Sequence, residues 1–371
     1  MQFRPHSTYS GGVDLETHPQ IAVWPFLFVL AAVVGFAAER ASLCTVKAVK
    51  EILSTRRAYM RGCFAKTVVW VVGITMLLAG VIEPSESSPS GFALLLPTFL
   101  GGILFGIGAV LNRGCSLSTL TRLGSGHFGM IVTLAGFGAG VTTYEWIQRS
   151  DPWRIPVRAA PWFDLYDRFV WMIGIILGLW MLWEGVRLWR TAPKTSWRKR
   201  LSAPQYRLST AAAVMGVSNG ILFALVGTWS YTHTLHHGIV QLIRPESLGG
   251  DRPLTLLWCL FIALVVGVFS SAFLGRRFVI VWRPGRSWIG YFGGGGLMGF
   301  GARLIPGGND VLLLNAIPGF SPHGLPAYMA MLVGMAITLI VLKRFGLKWS
   351  EVTCRGDVCQ ESKASSPRSL S

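Results

Sequence analysis

A glycine-rich apolar segment occurs twice in this chain, and each copy breaks off before a polar stretch and a short apolar run. The first reads GGILFGIGAVLNRGCSLSTL from Gly101 to Leu120, and the second GGLMGFGARLIPGGNDVLLL from Gly295 to Leu314. A helix that stops at Arg-Gly or Gly-Gly and restarts a few residues later is tolerated in a membrane only where its freed backbone faces protein or a water-lined cavity. Two such breaks at corresponding places in the two halves of a chain are the sequence mark of a transporter.

The rest of the chain provides the membrane setting that such a break requires. Hydrophobic residues make up 51% and charged residues 14% of 371 positions, against roughly 25% charged in an average soluble domain. The mean hydropathy is +0.49. Apolar stretches of the ~18–22 residues that span a bilayer occur at Ile21–Ala38, Cys63–Ile82, Gly91–Leu111, Phe128–Ile147, Phe169–Trp189, Thr210–Tyr231, Leu254–Gly275, Trp288–Ile305 and Leu325–Leu342. The expected fold is an all-α polytopic membrane protein of about nine transmembrane helices plus short re-entrant helices. The first stretch lacks a basic leader and a small-residue cleavage site, so it is expected to stay in the membrane rather than leave as a signal peptide.

The formal net charge of +17 does not form a nucleic-acid-binding face, and no nucleic acid partner is expected, because the basic residues alternate by loop. Connections on one side of the nine stretches, with the C-terminal tail, hold 24 Lys and Arg, and the other side holds 7. The positive-inside rule then puts the N-terminus outside and the C-terminus in the cytoplasm. The chain divides into an outer polar segment (1–20), a first transmembrane half (21–147), a linker with the fifth stretch (148–209), a second half (210–342) and a cytoplasmic tail expected to be disordered (343–371). An odd crossing between the halves inverts the second relative to the first, in a 4+1+4 arrangement, and the two breaks approach one another near the midplane.

At the first break Ser116, Ser118 and Thr119 can cap a short helix that runs to Leu123 and ends at Gly124. At the second, Asn309 and Asp310 can cap one from Val311 to Ile317, stopped by Pro318 and Gly319. Both would point N-termini at the centre, where their partial positive charge and unpaired N–H groups favour an anion. A single glycine pair would be explained as well by close helix packing; two capped repeats favour the anion.

Six cysteines fall into three settings. Cys44 and Cys115 each follow an apolar stretch on the cytoplasmic side and could line one path. Cys63 and Cys259 lie within apolar stretches, where a cysteine acts as a small hydrophobe. Cys354 and Cys359 form CRGDVC in the tail. They lack the four ligands of a structural zinc site, a lasting disulfide is not expected in reducing cytoplasm, and a redox or sulfur-relay role is the alternative. No metal or cofactor is expected. Arg303 should face a cavity or a partner. Arg113, Arg40 and His127 could attract an anion at the cytoplasmic exit, as ordinary loop charges also would.

The segments GFAAERASLCTVKAV, GIGAVLNRGCSLSTLTRLGSGH and GGLMGFGARLIPGGND resemble the YeeE/YedE sulfur-transport family of prokaryotic inner-membrane proteins, over most of Phe26 to Leu342. The resemblance implies thiosulfate uptake through an hourglass-shaped, pseudo-symmetric helical fold with cysteines along a constricted path, here Cys44 and Cys115. It departs at the third motif, where the resemblance implies a third cysteine after the glycines and this chain has none. With Gly106 set on Gly299 and Ala109 on Ala302, Gly308 stands opposite Cys115 and Asn309 follows. The expected permeation residues are Cys44, Cys115, Arg113, Ser116, Gly307, Gly308, Asn309 and Arg303. A neutral thiol is a weak, polarisable donor suited to holding thiosulfate briefly.

Moving a dianion into a negative-inside cell costs about 4.6 kcal/mol per 100 mV, twice the cost of a single charge. The chain has no GxxxxGK[ST] phosphate loop. Uptake would therefore draw on an ion gradient or on consumption by a cytoplasmic sulfurtransferase, TusA-like or rhodanese-like. The alternatives are transport of sulfite or selenite, a membrane-embedded thiol sulfurtransferase that relays sulfur through Cys44 or Cys115, and a non-transporting membrane subunit.

Overall fold

The computed structural model describes residues 23–55, 58–79, 90–148, 157–159, 169–192, 195–196, 199, 201–203, 205–243, 254–282, 284–346, 352–355 and 357–361. The polar N-terminal segment and the end of the tail lie outside the described residues. The helices that fall within the described residues are, in order, α1 (Trp24–Arg40), α2 (Thr45–Thr55), α3 (Tyr59–Ala79), α4 (Leu96–Leu111), α5 (Ser116–Gly124), α6 (Met130–Ile147), α7 (Phe169–Arg190), α8 (Leu208–Val226), α9 (Tyr231–Ile243), α10 (Leu254–Leu274), α11 (Ser287–Leu304), α12 (Asn309–Val311) and α13 (Gly324–Arg344). A π turn, Leu312–Ala316, continues α12. Two short antiparallel strand pairs complete the described structure: β1 (Ser90–Phe92) with β2 (Val157–Ala159), and β3 (Val352–Arg355) with β4 (Val358–Glu361).

Among the described residues, seven helical stretches are long and apolar enough to cross a membrane: Trp24–Thr55, Tyr59–Leu78, Leu96–Gly124, Met172–Arg190, Leu208–Ile243, Leu254–Leu274 and Gly324–Arg344. The chain is thus a multi-pass, all-α membrane protein. The other two expected spans form α6 and α11, of 18 residues each, about 27 Å long. Glu145 and three threonines dilute the apolar character of α6, and Arg303 and seven glycines that of α11.

Helix order runs long, short, long, long, short, long, and after α7 runs so again. The packing repeats with it. α1 lies on α10 as α8 lies on α3, and α6 lies on α11 as α13 lies on α4. Arg40 of α1 reaches Ser271 of α10, both near their helix C-termini, so those two run parallel. Tyr144 meets Phe300 and Glu145 meets Arg303, so α6 and α11 run parallel too. In contrast α4 and α11 pack antiparallel, Gly101 on Gly301 and Gly108 on Gly294, with each backbone carbonyl where the opposite Cβ would stand. Apolar side chains gain little by leaving lipid for one another, so this backbone approach is how such helices bind. α7 stands at the edge, with Ile175, Leu179, Leu182 and Trp183 exposed, and is held by buried Glu184, which pairs with Lys66 of α3 at 2.9 Å.

Two short helices were expected and four are present. The expected span Thr210–Tyr231 runs through a break at Gly227–Ser230, beyond which α9 begins. Both unexpected helices, TVKAVKEILST of α2 and YTHTLHHGIVQLI of α9, are polar along one side, so a hydropathy window passes over them as loops.

The tail also departs from expectation. Antiparallel register sets Cys354 opposite Cys359, and the two form a disulfide. The hairpin packs on α2 and is tied to α8 by Leu208 N–H donating to Asp357 O (2.8 Å) and Ser209 Oγ to Asp357 Oδ1 (2.9 Å). Gln205 Nε2 adds a bond to Cys359 O (2.8 Å). These contacts come from distant parts of the chain and leave no local signal in the tail sequence.

Candidate functional site

Each half contains two helix breaks, and three of the four close alike. The N–H groups of Leu43, Gly114 and Gly307 bond back to the carbonyls of Ala38, Ala109 and Ala302, at 3.2, 2.9 and 2.8 Å. This 6→1 bond stops a helix when the residue before it turns left-handed. Ser42 (φ 52°), Arg113 (φ 59°) and Pro306 (φ 21°) hold that place. The fourth break turns at Gly227 (φ 77°).

The next helix begins at once in every case. Cys44, Cys115, Ser230 and Gly308 each accept at their carbonyl the first helical bond of α2, α5, α9 and α12, from Ala48, Thr119, Thr234 and Leu312, all at 3.0 Å. Each lies six residues after an alanine: Ala38, Ala109, Ala224 and Ala302. That recurrence was the signal in the sequence that could have revealed all four breaks. It also corrects the capping assignment, since Cys115 and Gly308 are the caps, one residue ahead of Ser116 and Asn309.

The four helix heads meet in the buried interior. The Cys44 thiol donates to Ser118 Oγ at 3.4 Å, and it lies within hydrogen-bonding reach of Cys115. Cys115 Sγ accepts from Thr45 N–H at 3.4 Å. Thr45 Oγ1 donates to Asn309 Oδ1 at 3.2 Å. Ser116 Oγ donates to Asp310 Oδ1 at 3.2 Å, and Asp310 also accepts from Thr232 N–H (3.1 Å) and Thr232 Oγ1 (2.6 Å). Tyr231 lies against Ser116, and Tyr328 against Thr45. Apart from Tyr328 at 7%, Ser118 at 5% and Tyr231 at 4%, none of these side chains is more than 3% exposed.

One donor in this cluster is unmatched. Asn309 is fully buried and its amide Nδ2 has no hydrogen-bond partner. Leaving such a group unpaired costs ~1–3 kcal/mol. Thr45 links it to the Cys115 thiol at the convergence of four helix starts, where an anion would accept it.

The expected residues therefore divide. Cys44, Cys115, Ser116, Gly308 and Asn309 are together, and Gly307 (φ 146°) makes the turn that brings the last two there. A Cβ on Gly308 would stand 2.7 Å from Thr232 Oγ1 and 2.9 Å from Asp310 Oδ1. The place opposite Cys115 has no room for a third thiol while Thr232 and Asp310 are bonded.

Arg113 is elsewhere, because its left-handed turn leaves the side chain exposed. Arg303 has a partner rather than an open cavity: its Nε bonds Glu145 Oε1 at 2.6 Å and its guanidinium lies over Tyr144. Arg40 is fully buried and occupied by Ser271 Oγ (3.2 Å), Ser271 O (2.9 Å) and Ala203 O (2.7 Å). Asp310, expected to cap its own helix, instead receives the Thr232 N–H at the start of α9. Thr45, Ser118, Tyr231, Thr232 and Tyr328 were not anticipated, because only the fold carries them to the break residues.

A membrane bundle whose long helices are interrupted in matching places, with the interruptions gathered at one buried polar point, is the architecture of a transporter. A family model described as Sulphur transport matches residues 40–337, and the chain belongs to that family, YeeE/YedE. No curated protein matches the chain. Family membership and the helical architecture together make this a sulfur transporter of the membrane.

Proposed function

We propose that the protein takes up thiosulfate through the point where α2, α5, α9 and α12 meet. The carrying observation is the unpaired Asn309 amide. In the interior, a bound oxyanion would accept its N–H together with the S–H groups of Cys44 and Cys115, and the short-helix starts would add their positive ends. Thiosulfate suits the pair of thiols because its terminal sulfur is a soft acceptor while its oxygens suit the amide.

The helix directions support nine crossings in two inverted halves. α6 and α11 complete the alternation between the seven apolar spans, and the corresponding helices α4 and α11 run antiparallel. Basic residues concentrated on alternate loops favour an N-terminus outside and a C-terminus in the cytoplasm of a prokaryotic inner membrane. A cytoplasmic sulfurtransferase that consumes the anion would draw uptake forward.

The test is uptake by purified protein in liposomes, with thiosulfate, sulfite, sulfate and selenite compared. Thiosulfate should enter fastest, and Cys115→Ala and Cys44→Ala should each slow it about tenfold or more, as loss of a hydrogen bond to a charged ligand requires. Entry of none of the four anions defeats the proposal. A persulfide on either cysteine during turnover would favour the sulfur-relay reading.

A further inference from the structure

Asp310 is a buried carboxylate at the same meeting point, and the uptake mechanism gives it no part. It is 3% exposed, and its two oxygens accept three hydrogen bonds, from Thr232 N–H, Thr232 Oγ1 and Ser116 Oγ. No lysine, arginine or histidine pairs with it among the described residues. Of the other buried acids, Glu39 pairs with Arg277, Glu145 with Arg303, and Glu184 with Lys66 and Arg187, while Glu51 caps the start of α3 by accepting the N–H groups of Tyr59 and Met60, both at 3.0 Å. Asp310 follows directly after Asn309, whose amide awaits an anion, and it shares Ser116 with the turn that holds Cys115.

The groups that face it are few. From α9 it faces Tyr231, and Cys115 at the head of α5 lies against the same tyrosine. From α2, Cys44 lies against Cys115, with Lys47 beside it, and from α13 Tyr328 lies near Cys115, with Arg61 beside that tyrosine. The π turn that follows α12 carries none, and the α9 histidines His233, His236 and His237 cluster with one another towards Arg303. An anion that arrives at Asn309 therefore meets a carboxylate that no cation pairs with among the described residues. Two negative charges so close in a low-dielectric site cannot both persist, and protonation of one removes the repulsion.

We propose that Asp310 is the proton-coupling site of the transporter: it takes up a proton from the outer side when the anion binds and releases it to the cytoplasm when the anion leaves. The proton travels on a carboxylate oxygen and no bond of the anion is broken. Its passage halves the charge that a dianion carries against the membrane potential and lets the proton gradient contribute to uptake. The proposal rests on the anion-uptake reading above.

Proteoliposomes with purified full-length protein and a trapped pH dye separate the two. With the membrane potential clamped, entry of thiosulfate should acidify the lumen, and an inward proton gradient should accelerate it. Asp310→Asn should lose both responses while it still exchanges labelled for unlabelled thiosulfate across the membrane. If the wild-type protein exchanges thiosulfate without lumen acidification, or if Asp310→Asn acidifies as the wild type does, the proton site falls and the uptake reading stands. If the wild-type protein exchanges no anion at all, the uptake reading falls, and the proton site with it.

Should Asp310→Asn fail to fold, Thr232→Val decides. Removal of one donor to the carboxylate disfavours its charged form, so the outside pH at which proton stimulation half-disappears should rise by about one unit. An unchanged pH profile would overturn the assignment.

Discussion

The amide of Asn309 and the hydrogen at Gly308 act in opposite ways. Asn309 keeps an unpaired donor inside the protein, a cost that a bound anion would recover. Asn309→Ala removes the donor together with the acceptor of Thr45 Oγ1, and it should weaken thiosulfate binding about tenfold with only a small fall in melting temperature, because the unpaired donor leaves along with the bond. A purely structural asparagine would lose stability and no affinity, so titration of the anion alongside a thermal melt distinguishes them. Gly308 keeps space for Thr232 and Asp310. Gly308→Cys adds the thiol that the family's third motif carries, but the new Cβ meets Thr232 Oγ1 at 2.7 Å. It should cost about 1–3 kcal/mol as an overpacked core does, visible as a lower unfolding temperature, and it should slow uptake. The position opposite Cys115 was legible from the alignment of the two repeats. The reason for its glycine was not, since Thr232 lies far away in sequence and reaches it only through the fold.

At the scale of helices, Arg303 illustrates how a buried charge can be read without its partner. An arginine in an apolar segment requires company, and that much the segment GARLIPGG shows. Its company is Glu145, 158 positions away, at 2.6 Å between α6 and α11. Removal of one member of a buried pair strands the other at a cost of about 3–5 kcal/mol. Glu145→Gln should lower the unfolding temperature in detergent sharply, whereas the double variant Glu145→Gln with Arg303→Met should recover much of the loss. The short helices α2 and α9 show the complementary difficulty. Their apolar residues occupy one side only, so average hydropathy hides them, although the alanine six residues before each helical cap recurs at every break.

For the whole molecule the test is topology. Reporter tags at the loops should find the connection between α1 and α3 and the tail in the cytoplasm, and the connection between α3 and α4 outside. A C-terminal tag found outside would reverse the proposed path. The hairpin at the end of the chain is joined to α8 through Asp357, and through it to the Lys66, Glu184 and Arg187 cluster, by way of Ser209. Cys354→Ser with Cys359→Ser removes the disulfide but none of these bonds, so the hairpin should stay docked. Protease protection of the tail in the double variant measures this.

Composition and the doubled break alone determined a helical membrane protein, the existence of interrupted helices, and the two thiols worth watching, because apolar length and glycine-polar punctuation are local properties of the chain. Tertiary structure alone decided which break residues meet, that Arg113 turns outward, that Arg40 and Arg303 are already engaged, and that Asp310 serves α9. Those facts depend on side chains that approach across hundreds of residues, and in a membrane interior each buried polar group must find its partner wherever the packing brings one.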